Sequence, residues 1–176
     1  ASREGTMAKT PKAAIIMGSD SDFPVLEPCV AILKKFGVEV EAMVCSAHRT
    51  PEKAAEFARN AEKNGVDVII AAAGKAAHLP GVLAAFTVLP VIGLPILSST
   101  LDGLDSLLSI VQMPAGVPVA TVAINGSDNA ALLAVQIMGG AYPALRERMR
   151  AYKADMAEAV EAKDRKLQEK LKGIKA

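Results

Sequence analysis

Apolar positions along this chain alternate between short runs and stretches of helical spacing. Residues 12–17 (KAAIIM) form a continuous apolar run that ends in Gly18-Ser19-Asp20-Ser21-Asp22. A parallel strand covered on both faces has this pattern. Val25, Leu26, Cys29, Val30, Ile32 and Leu33 then give one apolar face to a helix predicted over about 23–36. Asp22 can cap it, Pro24 and Pro28 constrain or kink its beginning, and Gly37 closes it. Residues 38–44 alternate apolar and charged, predicting a second strand. After it comes the polar hinge Cys45-Ser46-Ala47-His48-Arg49-Thr50-Pro51. Thr50 suits an N-cap and Pro51 the first turn of a helix over about 51–64, which Asn64-Gly65 would stop. The same logic predicts strands over 66–73, 88–94 and 118–124, and helices over about 79–87, 104–112 and 129–138.

Five alternations of strand and helix with short connections predict an α/β, three-layer, doubly wound parallel sheet. A flavodoxin-like strand order, 2-1-3-4-5, is the expected arrangement. The tail differs. From Tyr142 onward, apolar residues recur at Leu145, Met149, Tyr152, Met156 and Val160 among Arg, Lys and Glu, the stripe of a long C-terminal helix. That stripe fits a neighbouring subunit or the helix's own domain equally well. The expected organisation is a tag remnant or disordered N-terminus over 1–11, a catalytic domain over 12–140 and the C-terminal helix over 141–176.

Composition narrows the classes. The 176 residues are 51% hydrophobic and 22% charged, a globular composition, and the formal net charge is only +1. Aromatics make up 3% with no Trp, so stacking platforms for single-stranded nucleic acid are not indicated. No basic stripe, apolar span of about 20 residues or signal-type leader is present, so neither a nucleic-acid nor a membrane partner is expected. Cys29 and Cys45 lack any CxxC or zinc-type spacing, and a reducing cytoplasm suits them.

Ligands of open α/β sheets bind at the carboxyl ends of the strands. This chain puts GSDSD, SAHR, GKAAH, SSTLDGLDS and NGSDN there, and both its histidines. GSDSD opens a helix and suits either a phosphate or simple capping by Asp22; it matches neither a Walker loop nor GxGxxG. Since two acids would repel a phosphate, the phosphate is assigned to Ser19, Ser21 and Arg49, and sugar hydroxyls to Asp22. His48, beside Arg49, is the better general acid/base candidate; His78 binds or orients. Lys75 meets an anion or is merely solvated. Asp102 and Asp105 form a metal pair or, more simply, cap the helix beginning near Leu104. Cys45 is expected to face the core.

The motifs MGSDSD, SAHRTP, AAHLPG, LPVIG, GLDSLLSIVQMP and GVPVATVAI, in that order over about 12–139, closely resemble the PurE family of 5-(carboxyamino)imidazole ribonucleotide mutases. The resemblance is to its bacterial mutase branch. It implies an isomerase of purine biosynthesis that moves a carboxylate from an exocyclic nitrogen to the adjacent ring carbon, with no cofactor and no metal. It implies that His48 is the proton shuttle and that Ser19, Asp22 and Arg49 hold the ribonucleotide. Ser21, Ser46, Gly74, Lys75 and His78, at the same strand ends, are expected as further substrate-binding positions. The resemblance also implies a homo-octamer. Direct carboxylation of aminoimidazole ribonucleotide by carbon dioxide is the alternative activity, and a silent binding module the alternative class. One departure stands out: the family reads GAGGAAHLPG where this chain has Gly74-Lys75-Ala76-Ala77-His78. The lysine side chain either points away or adds charge near the carboxylate.

Overall fold

The structure is a computed structural model and describes residues 9–174. The expected tag remnant falls outside that span as far as residue 8. Five parallel strands, β1 (Lys12–Met17), β2 (Glu39–Val44), β3 (Val68–Gly74), β4 (Val91–Ile96) and β5 (Ala120–Thr121), form one sheet in the order β2-β1-β3-β4-β5. That is the doubly wound order expected from the alternation.

Successive side chains of a strand point to opposite faces, so the apolar runs of β1 and β3 feed two cores. Ala13, Ile15 and Met17 join Val68, Ile70, Ile92 and Leu94 on one face; Ala14 and Ile16 join Ile69, Ala71 and Val91 on the other. Register keeps the rows in step, with Ile15 opposite Ile70 and Ile70 opposite Ile92. Helices α1 (Phe23–Lys35) and α5 (Ser127–Met138) cover the first face. Helices α2 (Pro51–Asn60), α3 (Leu79–Phe86) and α4 (Leu104–Val111) cover the second. Each fully buried Ile or Leu in these rows contributes roughly 1.5–3 kcal/mol. Gly93 in β4 lets α4 come this close: a Cβ there would collide with Ile110 and lie 2.8 Å from Val119 Cγ1.

Several boundaries differ from the sequence expectation for identifiable reasons. Helix α1 runs through Pro28 as one helix, with Pro24 in its first turn, and Gly37 closes it at φ +79°. Helix α2 ends at Asn60, because Val66 N donates to Ala61 O and Gly65 at φ +82° has already turned the chain. Strand β5 is far shorter than 118–124. Pro95 gives Asn125 N a carbonyl at 2.8 Å but has no N–H of its own to extend the ladder on that side. Asp22 and Thr50 precede α1 and α2 but make no side-chain capping bond. Nor do Asp102 or Asp105 cap α4, which begins after Gly103.

The sheet's amino end is stapled by Asp67. Its carboxylate accepts from Lys9 Nζ at 2.8 Å, Lys12 N at 2.9 Å and the Tyr142 hydroxyl at 3.0 Å. Tyr142 leads into α6 (Pro143–Lys172), whose stripe is buried near its start and exposed farther along. Leu145 and Met149 are buried in the first core, and Tyr152 packs on Phe36 with ring centroids 5.7 Å apart. Beyond them Met156, Val160, Leu167 and Leu171 on the same helix are exposed. Among the described residues no helix is long and apolar enough to cross a membrane.

Candidate active site

A cleft of about 630 Å³ opens at the carboxyl ends of β1, β2, β3 and β4. Ser19, Asp22, Ser46, His48, Arg49, Gly74, Lys75 and His78 all line it. Ser21 does not, but its hydroxyl lies 2.8 Å from that of Ser19. Four strand ends thus bring together residues as far apart as Ser19 and Ser99.

The hinge after β2 is a closed turn. Thr50 N donates to Ser46 O at 2.8 Å, Thr50 Oγ1 donates to the same carbonyl at 2.9 Å, and Ser46 N donates to Thr50 Oγ1 at 3.0 Å. Thr50 therefore spends its hydroxyl locking the turn instead of capping α2. Ser46 Oγ accepts from Arg49 N at 3.2 Å, so it shapes the turn from within while keeping a hydroxyl hydrogen to offer. His48 and Arg49 stand exposed on this rigid loop, and Cys45 beneath it is buried as expected.

The turn after β3 meets it. His48 Nε2 and His78 Nδ1 are 2.7 Å apart, and the rings meet edge to face with centroids 4.9 Å apart. Only one hydrogen fits between two such nitrogens, so one ring donates and the other accepts. The pair ties the two loops together through one hydrogen bond, with Arg49 next to His48 in the chain. On the other wall, Ser19 Oγ accepts from Ser21 N at 3.3 Å and shapes the turn into α1. Burial pushes the Asp22 carboxyl above its ordinary 3.8, and the charge of Asp20 adds to this against a backbone hydrogen bond from Ser19.

Sequence reasoning passed over the β4 contribution: Ile96, Leu97, Ser98 and Ser99 also line the cleft. The serines sit in SSTLDGLDS, a turn the strand-end rule had marked. Asp105 does not cap α4; its carboxylate accepts from Ser98 Oγ at 2.8 Å. Among the described residues no group of three His, Cys, Asp or Glu is placed to hold a metal ion. Among the described residues, the non-glycine ones with positive φ are Lys75, Leu101, Asp102 and Asn125. All four lie in turns at this one edge, where strained backbone tends to gather around function.

A family model described as AIR carboxylase matches residues 12–159. The chain belongs to the AIR carboxylase family. The match takes in the whole sheet and the buried turns of α6. Relatives named N5-carboxyaminoimidazole ribonucleotide mutase include those of Pyrococcus horikoshii, 58% identical over 92% of both chains, and Mycobacterium tuberculosis, 58% identical over 90% of this chain and 91% of that one. The crystal structure of Treponema denticola PurE superposes with a TM-score of 0.80 at 30% identity, covering 89% of this chain and 98% of the other. For an AIR carboxylase family member, the departure at Lys75 lies inside the cleft itself.

Proposed function

We propose that this chain is an isomerase of purine biosynthesis that converts 5-(carboxyamino)imidazole ribonucleotide to 4-carboxy-5-aminoimidazole ribonucleotide. The observation that carries this reading is the His48–His78 pair set beside Arg49 and opposite Ser19 in one cleft. The mutase names of relatives near 58% identity support it. Arg49, Ser19 and Ser21 hold the phosphate, Asp22 the ribose hydroxyls, and Ser46 and Gly74 the remaining polar edge. His48 protonates the exocyclic nitrogen as its carboxylate leaves as carbon dioxide. The adjacent ring carbon then attacks the carbon dioxide and gives its hydrogen back to His48, so no net proton is consumed. His78 orients the His48 ring through their shared hydrogen. Self-association as a homo-octamer is supported by two exposed apolar stripes, one running from Leu101 in the preceding turn onto α4 (Leu104, Leu108, Val111) and one along outer α6. A cytoplasmic location fits buried, unpaired Cys29 and Cys45.

The test is conversion of freshly made 5-(carboxyamino)imidazole ribonucleotide without added bicarbonate, in the wild type and in His48→Asn. The wild type is expected to turn over, and His48→Asn to lose roughly 10²–10⁴-fold while still binding the ribonucleotide. The family description, AIR carboxylase, favours carbon-dioxide-dependent carboxylation as the second reading. Turnover of aminoimidazole ribonucleotide only with bicarbonate would select it. A wild type that binds but never converts would leave a silent module.

A further inference from the structure

Lys75 is the one non-glycine residue lining the cleft whose backbone is left-handed, at φ +55°. A side chain disfavours that conformation and glycine does not, so the fold holds a lysine where the backbone would rather have no Cβ. Nothing around it repays this. Its side chain is exposed, and no carboxylate among the described residues lies within ion-pair distance of its ammonium. The charged residues of the cleft lining are Asp22, Arg49 and Lys75, so two cations face the ligand and one anion.

The two cations stand on different turns. Arg49 belongs to the β2 turn. Lys75 shares its turn with His78: Ala77 N donates to Lys75 O at 2.8 Å and His78 N to Ala76 O at 2.9 Å. Lys75 is therefore anchored on the same short loop as one half of the histidine pair. A ligand with two anionic groups, one fixed on the ribose side and one at the reacting ring, matches this division.

Resting on the function proposed above, we infer that Lys75 is a specificity residue that pairs its ammonium with the ring-borne carboxylate. It makes the cleft prefer carboxylated over uncarboxylated aminoimidazole ribonucleotide. The phosphate, common to both ligands, belongs to Arg49 and the serines.

Calorimetric titration of 4-carboxy-5-aminoimidazole ribonucleotide and of aminoimidazole ribonucleotide separates the possibilities. Lys75→Gln is expected to weaken the carboxylated ligand roughly tenfold, leave the uncarboxylated one unchanged, and flatten the salt dependence of the difference. Lys75→Arg should keep most of the preference. Lys75→Gly should raise Tm, because glycine takes φ +55° freely, and yet lose the preference as Lys75→Gln does. Equal weakening of both ligands by Lys75→Gln would move the ammonium to the phosphate, and no weakening would leave it in solvent; either overturns the inference while the mutase reading stands. A wild type that binds neither ribonucleotide overturns that reading and this inference with it.

Discussion

Asp22, assigned above to the ribose hydroxyls under the proposed function, is held by the empty fold at a cost. Its folded pKa is raised, so the protonated form is favoured in the native state. Stability from this group is fully present below the unfolded pKa and is lost as pH rises through the raised folded value. At neutral pH the ionised carboxylate is thus a burden on the unliganded protein. Asp22→Asn is expected to hold or raise Tm at pH 7 while weakening ribonucleotide binding. Differential scanning calorimetry and titration on one preparation would check both signs, and a lowered Tm would refute the account. The wild type should also begin to lose affinity, as pH falls, before an ordinary carboxylate would protonate. Cys29, by contrast, takes no part: burial pushes its thiol up to about 12 and keeps it inert.

At the scale of elements, the close approach of α4 to β4 depends on Gly93. Gly93→Ala would force a methyl into Ile110 and against Val119. Overpacking of this kind typically destabilises by about 1–3 kcal/mol. A shifted midpoint in urea, with an unchanged slope, is the expected signature, and an unchanged midpoint would show that α4 can slide aside. Elements were largely legible in the sequence because the buried strands KAAIIM and VIIAAAG are continuous apolar runs bounded by turns, the pattern of parallel strands covered on both faces. Gly37 likewise announced the end of α1. What escaped was set by partners, not by local pattern. The length of β5 depends on Pro95 in another strand, and Thr50 works for Ser46 instead of α2. The strand-end rule collected the cleft residues without any coordinates, since topology alone assembles them. It could not show that His48 and His78 touch, nor that Ser98 and Ser99 complete the wall, because turns after different strands converge only in three dimensions.

The whole molecule divides its work between the two ends of the sheet. Strained turns and the cleft occupy the carboxyl end, and the Asp67 staple holds the amino end. Helix α6 divides in the same way along its length, since Leu145 and Met149 are core while Val160 is 62% exposed. Cutting the chain after Asp155 should therefore leave Tm nearly unchanged and lower the mass measured by light scattering. Cutting after Gly140 would remove core side chains and confuse the two effects. An unchanged mass after the shorter cut would exclude outer α6 from assembly. The position of Lys9 has a practical side. It sits with Asp67 at the end of the sheet opposite the cleft, so a protein anchored to a sensor chip or resin through its leading segment would present the cleft outward, with the body of the sheet as its spacer.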